Sequence, residues 1–217
     1  MPDLTLIIGN KNHSSWSLRP WIFMRHHEIP FHEKRVALFT ETTDIELEQF
    51  NSDFKVLALK DGDLLVWDSL AILEYVSEQY LDNRGWPSDP GARAMARSIS
   101  AEMHSSFLNV RSEFPMNCRK TFDNVRPSLE AEHEIERIKS LWRESREKYG
   151  EGGEWLFGSY SIADAMYAPI ALRFIGYNIL LEGVEKAYVE SVLKQSGITE
   201  WIEAGRAEKE IIEEDEI

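Results

Sequence analysis

Two pairs of polar residues stand where the sequence predicts a helix to begin, Ser14-Ser15 and Asp68-Ser69, and a third polar start is Ser161-Ile162-Ala163-Asp164. The first turn of a helix carries amide hydrogens without intrahelical partners. A hydroxyl or carboxylate there acts as a cap, and the same amides, with the helix dipole, favour an anion. The Ser161 to Asp164 spacing resembles a capping box with Asp in place of Glu, which makes Asp164 a folding residue. The single cysteine, Cys118, cannot make an intrachain disulfide, a Cys-x-x-Cys redox pair or a structural zinc cluster. No metal site is expected, and the cysteine usage fits a reducing cytoplasm.

Those helix starts need elements to hold them. Leu4 to Ile8 is an apolar run suited to a buried strand, and a helix to about His27 follows it. Pro20 is tolerated only in a first turn, so that helix should open near Ser15 to Ser17. Phe31 to Leu38 reads as a second strand, Thr42 to Phe50 as a short helix and Lys55 to Leu59 as a third strand. Asp61-Gly62 turns into Leu64 to Trp67, a hairpin signal, and Asp68 caps a helix running to about Tyr80. The order βαβ, α, ββα is a thioredoxin-like layout. Turn formers fill 82–90, and from there on the apolar spacing is helical. Ala92, Met95, Ile99, Met103, Phe107, Val110 and Phe114 predict one helix of about seven turns. Further helices are predicted around Ile135 to Trp142, from Ser161 through Ile175, at Val184 to Leu193 and at Thr199 to Ala207. The expected class is therefore α+β, with a thioredoxin-like domain over 1–81, a linker over 82–90, an all-helical domain over 91–207 and an acidic tail over 208–217.

Composition sets limits. The chain has 217 residues, 43% hydrophobic and 29% charged, enough for a sizeable core. A formal charge of −14 is the wrong sign for neutralising phosphates, so nucleic acid is excluded as a partner. No stretch approaches 18 apolar residues, and Asp3 stands where a secretory signal needs a basic region, so no membrane association or export is expected. Residues 207–217 carry six acids and one lysine and read as a solvated fray, with Ile211 and Ile212 able to dock.

Three segments together, NKNHSSWSLRPW (10–21), WDSLAILEY (67–75) and SIADAMYAP (161–169), resemble the cytosolic glutathione transferases, specifically bacterial serine-type members akin to the zeta class. The resemblance covers nearly the whole chain and implies a cytoplasmic enzyme with glutathione as co-substrate and no metal. Its chemistry would be thiol activation. A free thiol of pKa near 8.5 is only about 3% thiolate at pH 7. Lowering that pKa by about two units corresponds to about 2.7 kcal/mol and raises the ionised fraction about 25-fold. Reduced nucleophilicity takes back about eightfold, so larger acceleration must come from holding the electrophile beside the sulfur.

By match to the zeta-like segment, Ser14 is the implied hydroxyl donor and Ser15 the alternate, although serines before a helix also serve as plain caps. Trp16 stands where those relatives carry cysteine. Asp68 and Ser69 match the pair that binds the γ-glutamyl end of glutathione, and Trp16, Lys55 and Val56 complete the implied glutathione site. Relatives carry a cis-proline at the position of Leu57. A cis bond costs about 0.5 to 1 kcal/mol before proline but about 2.5 to 4 before leucine, so Val56-Leu57 is expected to be trans and glutathione to bind more weakly. Met103, Phe107 and Arg111 are candidates for the electrophile pocket, with ordinary core packing as the other reading of Met103 and Phe107. His104 is expected to face an interface or solvent.

A homodimer is implied, with Ser98, Ala101 and Ser105 allowing close approach of helices. Two other readings remain open. One is an isomerase of the maleylacetoacetate type, with Arg111 or Arg173 as the cation for a dicarboxylate. The other is a non-catalytic binding module, suggested by Leu57.

Overall fold

A computed structural model describes residues 4–41, 43–48, 50 and 56–216. The N-terminal part runs β1 (Leu4–Ile8), α1 (Ser15–His26), β2 (His32–Arg35), α2 (Thr43–Glu48), β3 (Ala58–Asp61), β4 (Leu64–Trp67) and α3 (Ser69–Tyr80). The strands form one sheet in the order β2-β1-β3-β4, with β1 parallel to β2 and antiparallel to β3. This is the expected thioredoxin-like layout. The apolar run of β1 belongs in the centre because an inner strand covered on both faces needs no polar alternation. The polar β2 sits exposed at the edge. Gly62, at φ +58, closes the β3-β4 hairpin in a conformation that costs glycine least.

The remainder is helical: α4 (Pro90–Ser105), α5 (Leu108–Glu113), α6 (Leu129–Tyr149), α7 (Ile162–Gly176), α8 (Gly183–Lys194) and α9 (Ser196–Ala207). Two helices join the halves. In α1, nine of twelve residues are buried, because it packs on α3 within its own domain and on α7 and α9 of the other. A helix covered on all sides has no reason to show a narrow apolar stripe. Pro20 is the sixth residue of α1, deeper than the expected first turn, and has no N–H to offer the Trp16 carbonyl. The central α7 is apolar almost throughout. At its start the Asp164 carboxylate accepts hydrogen bonds from the Ser161 amide (2.8 Å), the Ser161 hydroxyl (3.0 Å) and the Leu156 amide (3.0 Å).

Three expectations are corrected. The seven-turn helix is two helices, α4 and α5, parted where Ser106 is extended and Phe107 takes a left-handed φ of +60. Apolar spacing carried across the break because Phe107 is buried all the same. Beyond it, Glu134 of α6 caps α5 through the Val110 amide (2.8 Å). The acidic segment is not a solvated fray: Ile212 is buried, Ile211 stays exposed, and the carboxylates dock on cations and amides of the body. Finally, the Val56-Leu57 peptide is cis. The expected trans bond weighed local cost alone, whereas the Leu57 side chain is fixed in the hydrophobic core, and the weaker glutathione binding inferred from a trans bond lapses with it.

At the C-terminal end of α1, His27 is held down to a pKa of about 4, first by burial and then by the neighbouring His26 and Arg84 charges. The unfolded chain takes up this proton near pH 6.5 and the folded chain resists it until about pH 4, so the stability His27 contributes is lost as pH falls through that window. Asp164, pushed up to about 6 by burial, acts in the opposite direction over the lower part of the range. Comparing His27→Gln with the parent protein isolates the histidine. The variant should lose less stability between pH 7 and pH 4.5, measured by urea unfolding midpoints at each pH; an equal loss in both proteins would remove His27 from the account.

Candidate active site

The loop from Gly9 to Ser14 carries the backbone from β1 into α1 without regular structure, and distant parts of the chain hold it. Asn10 Oδ1 accepts the Leu38 amide (2.8 Å), and Asn12 Oδ1 accepts those of Cys118 (2.9 Å) and Arg119 (3.0 Å). The Glu208 carboxylate accepts the amides of Lys11 (2.8 Å) and Asn12 (3.0 Å). Lys11 itself pairs with Glu33 (2.8 Å) and lies over the rings of Trp21 and Trp201. Gly205 permits the close approach of α9, since an added Cβ would stand 3.0 Å from the Asn12 nitrogen. The buried His13 ring faces Asp215 (3.2 Å).

This loop delivers Ser14 to the N-cap position of α1, yet the Ser14 side chain caps nothing. Its hydroxyl lies 2.7 Å from that of Ser17, which in turn accepts the Gly9 amide (3.0 Å). No acidic residue occupies the first turn of α1, so the positive end of that helix is not neutralised within the helix. Ser15 is held differently: its hydroxyl accepts from Arg173 Nη2 (3.3 Å), and Arg173 Nε donates to the Phe114 carbonyl (2.7 Å).

Cationic charge gathers on the same side. The Trp16 ring lies against the guanidinium groups of both Arg19 (4.2 Å) and Arg111 (4.5 Å), with the His104 ring edge-on at 5.3 Å. Burial, then Arg111 and Arg173, bring the Arg19 pKa down to about 9; burial, then Arg111, bring Arg173 to about 10. Arg19 donates to the Ser69 hydroxyl (3.2 Å), and its Nε is buried with no hydrogen-bond partner among the described residues. Asp68, at the start of α3, uses one oxygen to accept the amides of Leu70 (2.9 Å) and Ala71 (3.2 Å), and the other meets His104 Nε2 at 2.6 Å. His104 therefore turns toward the site, contrary to the expected interface or solvent position; the carboxylate that draws it lies 36 residues back in sequence. An anionic peptide with an ammonium end fits this donor set, because the Asp68 carboxylate remains partly exposed and the buried Arg19 Nε is unpaired.

Ser14, Ser15, Trp16, Asp68, Ser69 and Arg111 are thus linked in one region where α1 meets α3, α4 and α5. Val56 is half-buried at the entrance to β3. Lys55 lies outside the described residues. Met103 and Phe107 are packed in the core at 0% and 4% exposure, so they could serve an electrophile pocket only as part of its packed wall. Burial pushes the Cys118 thiol up to about 12, which leaves it inert. Sequence reasoning did not find Ser17, Arg19 or Glu208; the only local signal was Arg19 within the SSWSLR run.

The fold, a thioredoxin-like sheet followed by an all-helical part, is like that of the glutathione transferases. A family model of the glutathione S-transferase N-terminal domain matches residues 13–79. Over 87 residues the chain is 34% identical to a probable maleylacetoacetate isomerase of Caenorhabditis elegans, covering 40% of this chain and 41% of that protein. Over 89 residues it is 36% identical to glutathione S-transferase theta-3 of Mus musculus, covering 40% and 36%. The aligned stretch thus spans about two fifths of either relative's length. A glutathione transferase homolog from Burkholderia, solved with bound glutathione, superposes with a TM-score of 0.71 over 94% of this chain and 98% of that one at 19% identity, a likeness of fold.

The Glu208 clamp yields a direct test. Glutamine offers one acceptor oxygen where the carboxylate serves two amides and faces Arg35 (3.6 Å). Glu208→Gln should cost about 1 to 3 kcal/mol, the range for leaving a buried donor unsatisfied. The check is the shift in urea midpoint at unchanged m-value; no shift would mean that the loop holds itself.

Proposed function

We propose that this protein is a glutathione transferase of the serine type, akin to the zeta class, in which the Ser14 hydroxyl stabilises the thiolate of glutathione for attack on a small electrophile. The observation that carries the reading is the state of Ser14: it sits at the N-cap of α1 with no backbone amide to serve, at a helix end with no acid in its first turn. A hydroxyl so placed donates to an anion with the helix dipole behind it. The thiol proton passes to solvent, the sulfur lone pair forms the new bond to the electrophile, and the leaving group or the reduced π-system takes the electrons. Asp68 takes the ammonium of the γ-glutamyl end. Ser69 and the Arg19 guanidinium stand at the neighbouring position for its carboxylate, and Val56 offers backbone to the cysteinyl unit. Arg111 with Trp16 forms the cationic wall facing the electrophile, backed by Met103 and Phe107.

A second reading rests on Arg173, whose buried guanidinium touches Ser15, and on the name of the Caenorhabditis relative. Three arginines around one site suit an electrophile with carboxylates, as in a glutathione-dependent isomerisation of a maleyl acid, where the thiolate adds and is then expelled. Calorimetric titration with glutathione, followed by assays with aryl halides, organic hydroperoxides and maleyl acids, separates the readings. Binding without turnover would leave a binding module.

We also propose a homodimer. Phe39 and Trp67 are 80% and 60% exposed, and the exposed Ser98, Ala101 and Ser105 line one side of α4. Apolar residues left this open are commonly covered by a second copy. A buried free cysteine is consistent with a cytoplasmic setting.

Two outcomes are expected. Ser14→Ala should reduce turnover much more than Ser15→Ala while glutathione binding stays within a few-fold, because the donor acts on the thiolate and affinity comes mainly from the peptide ends; a larger loss in Ser15→Ala would transfer the role to Ser15. Light scattering at micromolar concentration should give the mass of a dimer, and a monomer mass would refute the pairing.

A further inference from the structure

Ser17 has no part in the functional reading so far, yet it touches the residue that reading depends on. It is the third residue of α1 and is completely buried. A serine hydroxyl has one proton to give and two lone pairs to receive. One lone pair of Ser17 accepts the Gly9 amide at 3.0 Å, and Ser14 Oγ lies 2.7 Å away. If Ser14 donated to Ser17, Ser17 would accept twice, and its own proton would have no partner among the described residues in a place that water does not reach. If Ser17 donates to Ser14, every group is used. The Ser14 proton is then left over, on a side chain that caps no amide. Gly9 makes this arrangement possible, since a Cβ there would stand 3.2 Å from Ser14 Cβ and closer still to the Leu38 side chain.

We propose that Ser17 is a positioning residue for the reaction: it receives the Gly9 amide, donates to Ser14 Oγ, and so commits the Ser14 proton to the glutathione sulfur. The inference rests on the Ser14 reading and adds the reason that the hydroxyl is oriented. Ser14 could otherwise turn its proton inward, and the donor would be lost to the thiolate for part of the time. Accepting from Ser17 also polarises the Ser14 hydroxyl and strengthens it as a donor. No proton changes owner in this step; the chain Gly9 N–H to Ser17 to Ser14 to sulfur is a run of hydrogen bonds.

The test is a double-mutant cycle of Ser14→Ala and Ser17→Ala, read through the pH profile of kcat at saturating glutathione, which reports the pKa of the bound thiol. Loss of one oriented hydrogen bond should raise that pKa by about 0.4 to 1 unit in Ser17→Ala and, with the accompanying gain in thiolate nucleophilicity, lower kcat below it by about two- to threefold. KM for glutathione should stay within about threefold, because no peptide contact is removed. In the Ser14→Ala background, adding Ser17→Ala should leave the thiol pKa where it is. Ser17→Cys, which keeps the shape and a weaker donor, should fall between parent and alanine, and it carries the test if Ser17→Ala does not fold. The proposal is overturned if the available Ser17 variant, Ala or Cys, leaves the thiol pKa unchanged, or if it shifts that pKa equally with and without Ser14. A Ser14→Ala protein with an unshifted thiol pKa would overturn the Ser14 reading as well, whereas a shift in Ser14→Ala with none in the Ser17 variants defeats this inference alone.

Discussion

The Glu208 carboxylate holding the amides of Lys11 and Asn12 is the contact on which the site depends. The segment between β1 and α1 has no ladder or helix to satisfy its polar groups, and a buried backbone amide without a partner costs about as much as a lost hydrogen bond. Here the partners come from remote sequence: Glu208 lies 197 residues from Lys11, and the amides satisfied by Asn12 belong to residues 118 and 119. The acidic segment after α9 is in turn tied by Arg119, which donates to the carbonyls of Glu208 and Glu210, and by the ion pair of Arg35 with Glu210. The serine is therefore placed by the helical domain as much as by the strand that precedes it.

The same interface concentrates positive charge in an acidic protein. With a formal charge of −14 the chain has carboxylates to spare, yet none within hydrogen-bond reach of Arg19 or Arg173 among the described residues. Their guanidinium groups are instead held by a carbonyl, by serine hydroxyls and by the face of Trp16, contacts that position a cation without cancelling it. Desolvation and mutual repulsion lower the pKa of both. Such an arrangement is costly to the folded protein alone and becomes favourable when an anion enters.

Much of the layout was legible because its signals are local. The apolar run of β1, the hairpin turn after Asp61, the Asp68 cap and the Ser161-Asp164 pair each declare themselves within a few residues, and the structure has them there, the turn itself falling at Gly62-Asp63, one residue beyond the expected Asp61-Gly62. What could not be read depended on distance or on a backbone state that residue type does not announce. Phe107 takes a left-handed conformation that asparagine or glycine would have signalled and phenylalanine does not. The docking of 208–216 is electrostatic complementarity between parts far apart in sequence, and a run of acids looks the same whether solvated or paired. His104 and Arg19 reach the site only because α4 and α1 meet there.

How the helices begin explains why Ser14 differs from its many counterparts as a cap. At α3, α4, α6 and α7 the first-turn amides or the cap itself are closed by the side chains of Asp68, Asp89, Ser128 and Asp164. Each of these helices spends its polar start on its own stability, and an acid at the cap or in the first turn of all four also offsets the dipole. At α1 the corresponding hydroxyl is turned to another hydroxyl, and the third residue is Ser17 where a capping box would place Glu. A glutamate there would reach back to the cap residue and set a negative charge at the helix N-terminus. Serine supplies one hydrogen bond and no charge, so the helix gives up part of its capping stability and its positive end stays uncompensated by its own first turn.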